Sequence, residues 1–163
     1  MKRILLMRHA KSSWKDAEIP DKERTLKKRG EKDATRMGKL LREKKLKPDR
    51  ILCSSAVRAV KTAELLVDKI GYKGEIKYLD KLYMAECAVI LKIIKEQPDD
   101  VNSIIIIGHN PGLEALLQLL VHKVESLPTA AIAHITTKVD QWSDINKDTK
   151  CKLKKIWYPK ELK

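Results

Sequence analysis

Phenylalanine is absent from this 163-residue chain, and its four tyrosines and three tryptophans are scattered. That excludes a clustered aromatic platform on which successive nucleobases could stack. No apolar run approaches the roughly 20 residues needed to cross a bilayer. The one apolar stretch near the start, Ile4–Met7, is stopped by Arg8. It falls short of the roughly 7–15 residues in the core of a secretion signal, so cytoplasmic residence and no membrane partner are the expectations. Cysteine is scarce as well. Cys53, Cys87 and Cys151 are far apart, with no CxxC pair and no histidine at metal-ligand spacing, and they read as buried thiols. There is no GxxxxGK[ST] loop for a nucleotide and no aspartate cluster for Mg²⁺. No metal and no cofactor are expected.

Positive charge is abundant: 35 Lys and Arg stand against 22 Asp and Glu, a formal +13. Such a balance attracts acidic partners. The cations are interleaved with acids, as in "LKKRGEKDATR" and "LREKKLKPDR", which reads as a solvated lysine-rich surface. Nucleic acid is not the expected partner, and a basic protein- or RNA-binding module stands as an alternative class.

A hydrophobic fraction of 43% supports a buried core. With no linker, repeat or low-complexity tract, residues 1–163 are expected to form one domain. Periodicity alternates between strand and helix. Strands are expected at 2–7, 50–54, 75–79, 103–108, 131–137 and 151–158. Helices are expected at 26–46, 57–70, 86–96 and 110–122. The run "SIIIIG" has no polar alternation, so both its faces are buried in the middle of a helix-covered sheet. The last two strands, joined by a turn-rich segment, read as an antiparallel pair near an edge. The expected fold is α/β, a three-layer α/β/α sandwich with a mostly parallel sheet.

In open α/β sheets ligands sit beyond the carboxyl ends of the strands. Arg8 and His9 follow the first strand, Arg58 lies soon after the second, and His109 follows the isoleucine-rich one. Ser54 or Ser55 reads as an N-cap that places Arg58 in the first turn of its helix. Asn110 reads as the cap of the next helix, with Pro111 at its first position. Cations beside helix N-termini are unfavourable unless an anion occupies the gap. Phosphate fits, because arginine forks match its oxygens. A neutral His9 between arginines could attack phosphorus and form a phosphohistidine intermediate. Arg8, Arg58 and His109 would neutralise the equatorial oxygens, and Lys11 and Asn110 are candidate substrate-binding residues. His122 and His134 read as ordinary structural histidines.

The motifs "LLMRHAKSSW", "LCSSAVRAVKTAELL" and "IIIIGHNPGLEALL", in this order, resemble the histidine phosphatase superfamily with its phosphoglycerate-mutase-like fold. Within it the chain is similar to the short phosphohistidine phosphatase SixA branch, which "RTLKKRGEKDA" and the closing "W…YPKEL" also resemble. The resemblance implies that His9 is the phosphorylated nucleophile and that Arg8, Arg58 and His109 complete the phosphate pocket. It further implies metal-independent hydrolysis. Many relatives read Arg-His-Gly where this chain has Ala10, a change tolerated if the local φ is negative. Larger relatives place an acid after the third strand, and Glu86 in "KLYMAE" falls in that region. Asp16 and Asp21 are its rivals, and a first-turn helical glutamate is the competing reading of Glu86.

Between the third strand and the isoleucine-rich one there is room for a single helix and no lid. An open site suits a phosphate displayed on another protein, so protein phosphohistidine is the expected substrate and a small phosphate ester the alternative.

Overall fold

The computed structural model describes residues 1–162 and is centred on a six-stranded sheet. The strands are β1 (Lys2–Arg8), β2 (Arg50–Ser54), β3 (Ile76–Leu79), β4 (Ser103–Gly108), β5 (Ile132–Thr137) and β6 (Cys151–Trp157). Their order across the sheet is β3-β2-β4-β1-β5-β6. The first four run parallel, β5 is antiparallel to β1, and β6 is antiparallel to β5. This is the mostly parallel sheet with an antiparallel edge that the pattern implies.

Helices cover both faces. Helices α1 (Lys28–Glu43) and α2 (Val57–Ile70) bury Met37, Leu41, Ala63 and Leu66 against Leu5, Met7, Ile105 and Ile107. On the other side α3 (Cys87–Lys95) and α4 (Gly112–Val121) bury Ile94, Leu113 and Leu117 against Ile4, Leu6, Ile104 and Ile106. The four isoleucines of β4 thus divide alternately between two cores. Each such fully buried side chain contributes roughly 1.5–3 kcal/mol by its transfer from water.

Helix ends differ from the periodic reading. Leu26 pairs in a bridge with Ser12, so α1 begins only at Lys28. At the other end Lys45 turns left-handed (φ 57°), releasing the chain before Pro48 is reached. Helix α2 stops at the left-handed Gly71. Helix α4 starts at Gly112, where a Cβ would lie 2.0 Å from the Ala85 carbonyl oxygen. Only a residue without a side chain lets α4 approach the loop carrying Met84 so closely. Cys53 is buried, whereas Cys87 and Cys151 are only half-buried. Among the described residues no helix is long and apolar enough to cross a membrane.

Candidate active site

Neighbouring β1 and β4 end side by side, which brings Arg8 and His9 next to His109 although about a hundred residues separate them in the chain. The backbone there is held from several directions. The His9 N–H donates to the Gly108 carbonyl at 3.0 Å, and Ala130 N–H donates to the carbonyls of both Arg8 and His9. Ala130 adopts φ 65° to do so, a strained conformation for a residue with a side chain. The Ala10 N–H donates to Thr62 Oγ1 on α2. Ala10 itself does not enter the left-handed region, so the departure from glycine is accommodated.

His9 is 6% exposed, and its Nδ1 lies 2.8 Å from the Ala10 carbonyl oxygen. A carbonyl only accepts, so Nδ1 carries the proton and Nε2 is left with its lone pair. The Nε–H of Arg58 approaches that Nε2 at 3.4 Å. Burial, with Arg58, Arg8 and Arg24 adding to it against the Ala10 hydrogen bond, lowers the His9 pKa to about 4. The imidazole is therefore neutral at pH 7, with Nε2 as its nucleophilic atom.

Arg58 sits in the first turn of α2 and is 2% exposed. Its Nη1–H donates to the Asp21 carbonyl at 2.7 Å and its Nη2–H to the Asp21 carboxylate at 3.0 Å. The same carboxylate accepts the Tyr83 hydroxyl proton and the Nε–H of Arg24. Its pKa falls to about 2, chiefly through Tyr83 and then through Arg58 and Arg24, with burial opposing. Asp21 is an ionised anchor rather than a proton donor at neutral pH.

His109 is 3% exposed, its ring 5.1 Å from that of His9. Nη2 of Arg58 lies 3.5 Å from its Nδ1, and its Nε2 lies 2.7 Å from Ser54 Oγ. Arginine can only donate, so Nδ1 is the acceptor and Nε2–H points to Ser54. Burial, then His9 and Arg58, lowers its pKa to about 3. His109 is thus a neutral ring at pH 7. A dianion arriving opposite Nδ1 would raise that pKa and favour the protonated donor.

Two caps are corrected. Ala56, not Ser54 or Ser55, is the N-cap of α2, and no side chain caps it. Ser54 accepts the Ala56 N–H and serves His109 instead. Asn110 donates from Nδ2 to the Leu127 carbonyl at 2.9 Å rather than capping α4, and Pro111 occupies the cap position.

A cleft of about 360 Å³ opens between these side chains, lined by Arg8, His9, Arg58 and His109. Lys11 and Asn110 also line it. The Arg8 Nε–H and the Asn110 Oδ1 are buried without partners. Glu86 is exposed at the N-cap of α3 and does not line the cleft. Asp16 is likewise outside it, accepting the Glu18 N–H in a local turn. Among the described residues that line the cleft, Asp21 is the sole carboxylate. His122 is exposed at the end of α4, and His134 stacks on Trp157 while accepting from Arg3.

Sequence reasoning missed Arg24, Tyr83, Trp14 and Met84. Arg24 is 7% exposed, donates to Ser12 Oγ at 2.6 Å and stacks 3.5 Å beneath the Trp14 ring. Met84 reaches the cleft from a left-handed backbone, φ 48°. All four lie on irregular segments that periodicity does not register. The available signals were the motifs "LLMRHAKSSW", "RTLKKRGEKDA" and "KLYMAE", which contain Trp14, Arg24, and Tyr83 with Met84 but show no role for them.

A family model described as the histidine phosphatase superfamily (branch 1) matches residues 4–83. An uncharacterized protein of Mycobacterium tuberculosis is 31% identical over 150 residues, 85% of this chain and 91% of that one. A structure from Agrobacterium tumefaciens, assigned as phosphohistidine phosphatase SixA, is similar with TM-score 0.84 and 26% identity, covering 97% of this chain and 98% of that one. The protein histidine phosphatase SixA complexed with tungstate has the same fold, with TM-score 0.84 and 22% identity over 99% of each chain.

Proposed function

The chain belongs to the histidine phosphatase superfamily, and from that premise we propose that it hydrolyses phosphohistidine on a protein through a phosphoenzyme at His9. The observation that carries this reading is the free lone pair of His9 Nε2: the Ala10 carbonyl holds the proton on Nδ1, and burial among arginines keeps the ring neutral. In the first step Nε2 bonds to phosphorus as the bond to the leaving nitrogen breaks. The leaving imidazole, already protonated on its other ring nitrogen, takes the bonding pair and departs as a neutral ring. In the second step water attacks phosphorus, its proton passes to solvent, and orthophosphate leaves with His9 restored. Arg8 and Arg58 bind the equatorial oxygens throughout, and His109, protonated once the dianion is bound, donates from Nδ1. Lys11 and Asn110 line the mouth where the remainder of the substrate lies.

Two features support nitrogen as the leaving atom. Asp21 is held ionised and Glu86 lies elsewhere, so no carboxylic acid stands ready to protonate a poor leaving group such as an alkoxide. The mouth is open, with Trp14 68% and Met84 49% exposed, which suits a phosphate presented by a macromolecule. The arginines supply the charge neutralisation, so the reaction is proposed to need no metal.

Comparing kcat/KM on a phosphohistidine peptide and on an aryl phosphate, with and without EDTA, tests this. Phosphohistidine is expected to be preferred, with EDTA without effect and an acid-labile adduct forming on His9. A strong preference for the ester would instead favour a small phosphomonoester as substrate.

A further inference from the structure

More than half of the formal charge lies on one segment, α1 together with the residues that flank it. Between Lys27 and Lys47 ten lysines and arginines face Glu31, Asp33 and Glu43, a formal +7 of the total +13. All ten cations are exposed, whereas Asp33 is buried beneath Arg29 and Arg36 at 3.8 Å from each. Folding thus removes one of the three acids, Asp33, from the surface of this segment. The outer face of α1 shows cations with only Glu31 and Glu43 among them.

This arrangement works against the helix itself. Lys28, Lys32 and Arg36 stand one turn apart and repel one another. Lys28 and Arg29 crowd the first turn, where the helix dipole favours anions. The N-terminus of α1 lies next to the cleft. The Lys27 N–H donates to the carbonyl of Lys11, which lines the cleft, at 2.9 Å. A shallow groove lined by Lys28, Lys32, Arg36, Lys39 and Leu65, with Glu31 its one carboxylate, runs between α1 and α2.

We propose that the outer face of α1 docks an acidic segment of the protein whose phosphohistidine is hydrolysed. The idea rests on the reading of the cleft as a protein phosphohistidine phosphatase. Sixteen helical residues span about 24 Å, enough for an extended acidic segment whose neighbouring phosphohistidine then reaches the mouth beside Lys11. Residues 27–47 contain no aromatic side chain, so RNA bases would find nothing to stack on, while Leu65 gives the groove an apolar floor suited to a peptide.

The test is fluorescence anisotropy of a labelled 20-residue glutamate-rich peptide against wild type and K28E/K32E/K39E, three positions outside the cleft and without ion pairs. K28Q/K32Q/K39Q guards against misfolding caused by charge reversal. Wild type is expected to bind at low salt, with affinity falling at least about tenfold in either variant and with rising NaCl. Both variants should hydrolyse an aryl phosphate at the wild-type rate. Equal affinity in all three proteins, or no binding by wild type, overturns the proposal. So does polyuridylate binding that the variants lose while the peptide goes unbound, since the face would then serve RNA. Phosphohistidine peptides with glutamate or glutamine tails complete the test: the glutamate tail should raise kcat/KM in wild type alone. If neither peptide is hydrolysed, the catalytic reading fails while the binding result stands on its own.

Discussion

Asp21 grips Arg58 twice, through its carbonyl at 2.7 Å and its carboxylate at 3.0 Å. Both contacts use the Nη atoms, leaving the Nε–H directed at His9. The residue thus orients the guanidinium while placing a negative charge beside a cleft proposed to bind phosphate. Asp21→Asn retains the carbonyl contact and removes the charge. Orthophosphate is expected to inhibit this variant more strongly than wild type, while kcat falls because the fork is held less firmly. Unchanged inhibition and unchanged kcat would show that Asp21 affects neither.

His9→Ala removes the proposed nucleophile. The rate on phosphohistidine peptide should drop by about 10⁴ or more, and the acid-labile adduct should vanish. His9→Ala should still bind orthophosphate, because the arginines remain. Retention of the adduct would place the covalent step elsewhere.

Acid should weaken the fold through its depressed imidazoles, His9 and His109 in the cleft and His134 on β5, the last with its pKa also lowered to about 4, mainly by burial. His9 and His109 have pKa values of about 4 and about 3 in the folded chain, mainly through burial, against about 6.5 unfolded. Below pH 6.5 the unfolded chain binds protons that the folded chain refuses, so stability is fully present above that pH. It declines as pH falls toward about 4 for His9 and about 3 for His109, by on the order of 2 kcal/mol for each imidazole. Thermal melts between pH 7 and 4 should show this decline, flatter in His109→Asn. A melting temperature independent of pH would contradict it.

Gly30 lies in α1 directly under the segment after His9. A Cβ there would come within 2.2 Å of the Lys11 carbonyl oxygen. Gly30→Ala should cost about 1–3 kcal/mol by forcing backbone apart, lowering the melting temperature by several degrees. It should also raise KM, since Lys11 borders the cleft. A melting temperature equal to wild type would mean that the loop yields without cost.

Arg8, His9, Arg58 and His109 are legible in sequence because each follows a strand whose end is marked by a change from apolar to polar residues. A strand end fixes its neighbours in space, and the parallel order brings those neighbours together. Trp14, Arg24, Tyr83 and Met84 lie on irregular segments whose paths are set by contacts with distant residues, and no local period reports those. Glu86 misled because a position after the third strand does not say which way the chain faces as α3 begins. Ser54 misled for a different reason: a hydroxyl before a helix suits an N-cap as well as a partner for an imidazole. The lysine-rich surface read from the sequence is present, and what the sequence does not report is that Asp33 is withdrawn from it.

Strand β1 pairs with β4 on one edge and β5 on the other, Met7 facing both Ile107 and Ile132. A ribosome makes the first of these strands long before the other two. At roughly 5–20 residues per second, a strand destined for the centre waits on the order of 5–20 s for its neighbours. Until they emerge, both its edges are open and His9 has no His109 beside it. The proposed site is therefore assembled only once β4 has emerged, and until then β1 presents two open edges on which another chain could pair.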